Sequence, residues 1–271
     1  MAGRPPARAP ASRPDRAAMP DERPDASAAP GLHPSGRRAW CAAVIPAGGS
    51  GARMGAACPK QYLEIAGRTL LEHAVAAFLA VDAIGAIAVV VAPDDARAAG
   101  LAGLRDARVT LVPAGGATRR DTVLAGVRAL DARFGPQSWV LVHDAARPGV
   151  RPAQIARLIG SLADDPVGGL LALPVVDTVK RAGPAAAAGP GRHARIERTE
   201  PRSALWLAQT PQMFRRALLE RALAAHADVT DEAEAIERLG LRAALLPGSR
   251  DNLKVTLPED LELLRASWGA R

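Results

Sequence analysis

The sequence predicts an α/β fold in which a doubly wound, mostly parallel sheet carries a protruding β-arm. Three observations lead there. Fully apolar, β-branched runs alternate with amphipathic ones along most of the chain, as strands do when helices cover both faces of their sheet. A glycine-rich turn follows directly on the first apolar run. Later the alternation breaks at a Gly/Pro/Ala tract between two polar, β-capable flanks.

Residues 1–38 stand apart. They hold eight prolines and seven arginines, and beyond the initiator their only large apolar side chains are Met19 and Leu32. Such a segment cannot bury enough apolar surface to offset the entropy of ordering it, so a disordered tail is expected. Residues 39–271 are left for the folded domain.

Within that domain, residues 40–45 read as the first strand. Residues 69–80 read as a helix, with Thr69 and Glu72 at capping-box spacing. Residues 84–92 form a fully apolar strand. A short helix over 94–104 and a strand over 109–112 follow. A helix spans 121–131, a strand 139–143, a helix opened by Pro152 runs over 152–162, and a strand covers 169–176. This alternation is that of a Rossmann-like sheet. Residues 177–202 read as the arm, with its tip in the tract 183–191. Helices are expected over 215–227 and 231–239, strands near 241–246 and 252–255, and a final helix from Pro258.

The formal charge of +7 divides between the tail, where seven arginines face four acids, and the remainder, which carries +4. A basic balance invites a nucleic-acid partner, but the folded part has no dense basic run with interleaved aromatics, and none is expected. Phosphorylated small substrates account for the same modest excess. Cys41 and Cys58 are the only cysteines, so neither a disulfide framework nor a zinc site is indicated. No apolar run reaches the ~18 residues of a membrane span. The apolar run after Arg37 and Arg38 is short, contains Pro46 and leads into glycines, which suits a buried strand better than a signal peptide. No membrane partner and a cytoplasmic location are therefore expected.

The first strand ends in Pro46-Ala47-Gly48-Gly49-Ser50-Gly51-Ala52-Arg53-Met54. A glycine turn at that place lets backbone N–H groups approach phosphates closely. It is not a P-loop, which needs GxxxxGK[ST]. Nor is it a dinucleotide fingerprint, because Met54 stands where GxGxxG needs its third glycine. A plain strand–helix turn would explain the glycines alone. Arg53 and the Pro59-Lys60 pair go further: a glycine loop, then Arg, then Pro-Lys is the pattern of nucleotidyltransferases that activate sugars and polyols. Attack on an α-phosphorus concentrates negative charge on non-bridging oxygens, and fixed cations lower that barrier. The chain has 32 Arg but only three Lys, at 60, 180 and 254; a compact point charge has been kept at three places that look like sites.

Eight segments in order then carry a resemblance: PAGGSGARM (46–54), CPKQYLEIAGRTLLEH (58–73), GGATRRDTVLAG (115–126), VLVHDAARP (140–148), LPVVDTVKR (173–181), RSALWLAQTPQMF (202–214), TDEAEAIE (230–237) and DNLKVTLPEDL (251–261). Over residues 40–268 the chain resembles the 2-C-methyl-D-erythritol 4-phosphate cytidylyltransferases of the non-mevalonate isoprenoid pathway. The resemblance implies transfer of CMP from CTP to the erythritol phosphate with release of pyrophosphate. It implies that Arg53 and Lys60 stabilise the transition state, that the loop of Pro46, Ala47, Gly48, Gly49 and Gly51 holds the triphosphate, and that Gly115, Gly116 and Thr122 frame the cytosine. Asp144 and Ala145 would lie at the nucleotide, with Asp144 near substrate and metal. Arg147, Thr178, Arg202 and Lys254 would bind the methylerythritol phosphate. A divalent cation, Mg²⁺, would be held mainly by CTP. A homodimer is implied, with each arm reaching the partner's site. Ala117 departs from the family, which often has an acid there.

No general base is needed, since a phosphate monoester with a second pKa of ~6 is already an anion near neutrality; His143 is accordingly read as structural. A cytidylyltransferase for another polyol phosphate, such as ribitol 5-phosphate, is the nearest rival, and the HDAARP stretch favours the methylerythritol enzymes. A non-catalytic nucleotide-binding module is the rival of another class, against which Arg53 and Lys60 both stand.

Overall fold

The computed structural model describes residues 41–49, 58–130, 132, 134–183 and 193–268. The expectations for the tail at 1–38, for Gly51 and Arg53, and for most of the arm tip lie outside them.

Strand β1 (Cys41–Pro46) is buried on both faces except at its last residue. Its alternation divides the core. Cys41, Ala43 and Ile45 join one apolar cluster, while Ala42 and Val44 join another on the opposite face. Two short strands, β2 (Glu64–Ile65) and β3 (Arg68–Thr69), form a small hairpin ahead of α1 (Leu70–Leu79). The expected capping box is there: Thr69 Oγ1 accepts from the Glu72 N–H at 3.1 Å and the Glu72 carboxylate accepts from the Thr69 N–H at 3.0 Å. Replacing Thr69 with Ala removes that cap, and melting in denaturant should show a loss of about 1 kcal/mol with turnover unchanged.

Strand β4 (Ile84–Val91) follows as expected, but the helix expected over 94–104 does not form. Two 3-10 turns, Ala98–Gly100 and Ala102–Leu104, take its place. The Asp95 carboxylate accepts from the N–H groups of Arg97 and Ala98, which satisfies a single turn, and Gly100 and Gly103 disfavour its continuation. Strand β5 (Val109–Pro113) leads to α2 (Arg119–Ala129), which starts two residues earlier than expected because Thr118 and Asp121 form a second capping box. Strand β6 (Trp139–Val142), α3 (Pro152–Leu162) and β7 (Gly168–Pro174) match the sequence reading closely.

In the region expected to form the arm, β8 (Val179–Ala182) pairs antiparallel with β9 (Ile196–Glu200) as a separate two-stranded sheet. Next comes an element the sequence reading lacked, β10 (Trp206–Arg215). Pro211 in its middle reads as a strand breaker; the ladder absorbs it with an irregularity between Ala208 and Gln212. Helices α4 (Arg216–Ala225) and α5 (Glu232–Glu237), strand β11 (Ala244–Pro247) and α6 (Pro258–Trp268) complete the order. The strand expected at 252–255 is absent. That segment finds no ladder: the Val255 N–H donates to the Ala146 carbonyl at 2.8 Å, and Val255 packs with Leu261 and Leu264 of α6.

The seven-stranded sheet runs β11-β7-β10-β6-β1-β4-β5. All neighbours are parallel except β10, which is antiparallel to both β6 and β7. Helices α1 and α3 cover one face, and α2, α4 and α5 the other. The order reverses direction between β1 and β6. In open α/β sheets the crevice beyond the strand C-termini at such a reversal is where ligands bind. None of the described helices is long and apolar enough to cross a membrane.

Candidate active site

A cleft of about 550 Å³ opens at that reversal. Its floor is the end of β1, running through Ala47, Gly48 and Gly49. One wall is the turn after β5 with the start of α2. The other walls are Asp144–Ala146 after β6, Lys60, and Lys254 with Thr256.

Close packing demands the glycine pair after β5. A side chain on Gly115 would place its Cβ 2.8 Å from the Val91 carbonyl oxygen, and one on Gly116 would lie 2.4 Å from the Asp121 Cβ. The Gly116 N–H donates to Thr122 Oγ1 at 3.1 Å, and that hydroxyl donates to the Thr118 carbonyl at 2.9 Å. Thr122 therefore shapes the turn from within α2. Across the cleft, Lys60 opens a 3-10 turn, Lys60–Tyr62, that is pinned twice. The buried Gln61 side chain donates to the Ala47 carbonyl at 2.6 Å, and the Tyr62 hydroxyl donates to Asp95 at 2.6 Å. The first bond ties the lysine turn to the glycine loop.

Asp144 is the electrostatic centre. Its Oδ2 lies 2.8 Å from Lys254 Nζ and 3.6 Å from Arg147 Nε, and its Oδ1 accepts from Arg119 Nε at 2.8 Å. Burial pushes its carboxyl up, but Arg119, Lys254 and Arg147 outweigh burial and hold it well below the usual carboxylate range. Arg119 also donates from Nη1 and Nη2 to the two oxygens of the fully buried Glu232, at 2.6 and 3.2 Å. Burial lowers the Arg119 pKa, yet Asp144 and Glu232 together raise it. Burial lifts the Glu232 carboxyl against the pull of Arg119.

His143, beneath Asp144, is closed to chemistry. Its Nε2 donates to the Arg147 carbonyl at 3.0 Å, so Nδ1 accepts from the Thr210 hydroxyl at 2.9 Å. That hydroxyl in turn accepts from the Asp144 N–H at 3.1 Å. Burial pushes the imidazole down to about 4, so it is neutral near pH 7.

Of the residues singled out from sequence, Pro46, Ala47, Gly48, Gly49, Lys60, Gly116, Thr122, Asp144, Ala145 and Lys254 line the cleft. Gly115 stands just behind it. Arg147 does not face it: its Nη1 donates to the Asn252 carbonyl at 2.7 Å and its Nη2 to the Ala208 carbonyl at 3.3 Å. Thr178 is exposed at the foot of β8, and the exposed Arg202 donates to the Val176 carbonyl; neither reaches the cleft of its own chain. Gly51 and Arg53 are outside the described residues. Sequence reasoning missed Arg119. The signal was present in the quoted GGATRRDT: an arginine at the start of a helix, where the dipole disfavours a cation.

Chemically, the described cleft lining presents Lys60, Arg119 and Lys254 together with one ionised carboxylate and no imidazole. This suits the binding of a polyanion and the stabilisation of charge on it. Among the described residues, no group of three or more His, Cys, Asp or Glu is placed to hold a metal ion. Asp144 is the one carboxylate among the residues lining the cleft. A donor set of that kind fits an ion held mostly by substrate phosphates with one protein carboxylate, as Mg²⁺ commonly is.

The sequence profile of the family described as "IspD: 2-C-methyl-D-erythritol 4-phosphate cytidylyltransferase" matches residues 41–268. A protein of that name from Paraburkholderia phytofirmans is 52% identical over 232 residues, covering 83% of this chain and 94% of its own. One from Pseudomonas putida is 49% identical over 234 residues, covering 84% and 96%. A crystal structure of 4-diphosphocytidyl-2C-methyl-D-erythritol synthase superposes with a TM-score of 0.70 at 39% identity, covering 83% of this chain and 97% of that one.

Proposed function

The chain belongs to the 2-C-methyl-D-erythritol 4-phosphate cytidylyltransferase family, and from that premise we propose how its cleft performs the family's reaction. The protein is a cytidylyltransferase that transfers CMP from CTP to 2-C-methyl-D-erythritol 4-phosphate, giving 4-CDP-2-C-methyl-D-erythritol and pyrophosphate. The observation that carries the assignment is the arrangement of Lys60, Arg119 and Lys254 around the strand C-termini at the sheet reversal. CTP lies with its triphosphate along Ala47–Gly49 and against Lys60. The cytosine lies toward Gly116 and Thr122. The acceptor phosphate enters beside Lys254. It attacks the α-phosphorus in line, and the leaving pyrophosphate departs along the glycine loop. Arg53, outside the described residues, is assigned to the transition state with Lys60. Asp144 is the carboxylate that would help hold a Mg²⁺ ion brought in with the triphosphate, and such an ion would offset phosphate charge there. The chain's own residues bring two polyanions together and fix their orientation.

The first test is pyrophosphate release from CTP and UTP, each with methylerythritol 4-phosphate and ribitol 5-phosphate. CTP with the methylerythritol ester should be the preferred pair. Preference for ribitol 5-phosphate would overturn the acceptor assignment.

We further propose that two chains form a dimer through the arm, in the cytoplasm. Val176, Ile196, Leu205 and Leu207 are exposed along or beside the arm strands, with Ile196 at 65%; this apolar surface supports a protein partner. Arg202 would then hold the acceptor phosphate of the neighbouring subunit, since a guanidinium fork takes two phosphate oxygens at once. Arg202→Ala should raise KM for the acceptor about tenfold, the loss of one charge-assisted contact, and leave KM for CTP nearly intact. With the acceptor well below its KM, mixing Lys60→Ala chains with Arg202→Ala chains should give more activity than the two variants give separately, because one site of a mixed dimer receives both intact residues. Confirmed subunit exchange without recovered activity would rule out a contribution of Arg202 across the interface.

A further inference from the structure

A cation at the first position of a helix faces the positive end of the helix dipole, which disfavours it. Arg119 occupies that position in α2, on the wall of the cleft. It stays there because two carboxylates hold it. Asp144 takes Nε, and Glu232 takes Nη1 and Nη2. Three of the guanidinium's five N–H groups are thereby occupied by protein. Glu232 is fully buried and does not line the cleft. It opens α5, where the dipole favours an acid. The buried Gln212 of β10 pins that turn from both sides: its Nε2 donates to Asp231 Oδ2 at 2.9 Å, and its Oε1 accepts from the Ala233 N–H at 2.8 Å. A rigid connection therefore runs from the sheet through Glu232 to Arg119, between residues 113 positions apart in sequence. A local preference broken at a cleft wall and repaired by a buried acid from a distant element is the mark of a functional constraint.

We propose that Glu232 is a positioning residue of the nucleotide site: it fixes the Arg119 guanidinium so that its two remaining N–H groups face CTP and only Nε is left for Asp144. The inference rests on the cytidylyltransferase reading above. Without Glu232, Arg119 can turn both its fork nitrogens onto Asp144, in competition with Lys254, and no longer meets the nucleotide in a set orientation.

The test uses the full-length chain and pyrophosphate release. Glu232→Gln should raise KM for CTP about tenfold, the weight of one charge-assisted contact, while KM for the acceptor and kcat stay within about twofold. Glu232→Asp, which keeps the charge on a shorter stem, should recover part of that loss. Arg119→Gln alone should also raise KM for CTP. Adding Glu232→Gln to it should change nothing more, because the two act through one group. The double variant leaves neither of the paired charges buried without its partner and stays measurable if Glu232→Gln folds poorly. An unchanged KM for CTP in Glu232→Gln, or a further loss in the double variant beyond Arg119→Gln, overturns the proposal. Lower melting temperature with KM for CTP unmoved also overturns it, since Glu232 would then be scaffold alone. A wild-type enzyme that releases no pyrophosphate from CTP and methylerythritol 4-phosphate overturns the functional reading instead.

Discussion

Lys60→Ala should lower kcat by about a hundredfold or more and leave the affinity for CTP much less affected, the pattern expected when one fixed charge acts mainly on the transition state. Lys60 stands on a pinned turn: Gln61 ties it to the glycine loop and Tyr62 ties it to Asp95. Its ammonium therefore needs little reorganisation as charge builds on the α-phosphate. Lys60→Arg should recover only part of the rate, because a planar fork does not reproduce a compact point charge on the same backbone. Steady-state kinetics on the purified variants decide the matter. An unchanged kcat with only a raised KM would assign Lys60 to ground-state binding.

Asp144→Asn should cost stability as well as turnover. The carboxylate is the shared partner of Arg119, Lys254 and Arg147, and a neutral amide leaves those cations repelling one another in a mostly buried place. Breaking a buried pair by removing one partner costs about 3–5 kcal/mol, which for a chain of this size lowers the melting temperature on the order of 10 °C. The pH dependence has a definite sign. Asp144 titrates lower in the folded state than its unfolded value of ~3.9. Its contribution is present above that value and is lost as pH falls through it toward the folded pKa. The wild type should therefore lose stability below about pH 4 more steeply than Asp144→Asn. Melting curves across acid pH test this, and parallel curves would remove Asp144 from the account. The expected loss of turnover follows from Lys254, which in the variant has no carboxylate to hold it at the side of the cleft proposed above for the acceptor.

How much of this was legible in the sequence depends on the range over which each feature is decided. The Thr69–Glu72 cap, the fully apolar β4 and the Pro152 start of α3 are local, and all were read correctly. Strand β10 was not, because Pro211 is a local argument against a strand that two flanking strands override. The segment 252–255 failed in the opposite way: it looks like a strand, but its Val255 N–H bonds the Ala146 carbonyl and its side chain packs with α6, so it joins no ladder. The same division runs through the site. Lys60, Asp144 and Lys254 come to one cleft as expected from their motifs. Arg147 was expected at substrate, yet its guanidinium bonds the carbonyls of Asn252 and Ala208. Arg119 holds the place in the cleft wall. Which of several arginines turns inward is set by where unpaired carbonyls and carboxylates lie in space, and residue order does not record that.

The position of β10 also governs the order in which the chain can assemble. Val142 of β6 pairs with Gln212 of β10, and Gly169 of β7 pairs with Met213. In order of synthesis, β6 can pair with β1 at once, but its other neighbour follows only some seventy residues later. At bacterial and eukaryotic synthesis rates that is on the order of several seconds during which a wholly apolar strand, Trp139–Val142, offers an open hydrogen-bonding edge. Strand β7 waits with it. The late strand thus acts as a closing bolt: until it slides between its two predecessors the halves of the sheet are not joined, and a chain halted before residue 206 leaves one edge of β6 and both edges of β7 without their partners.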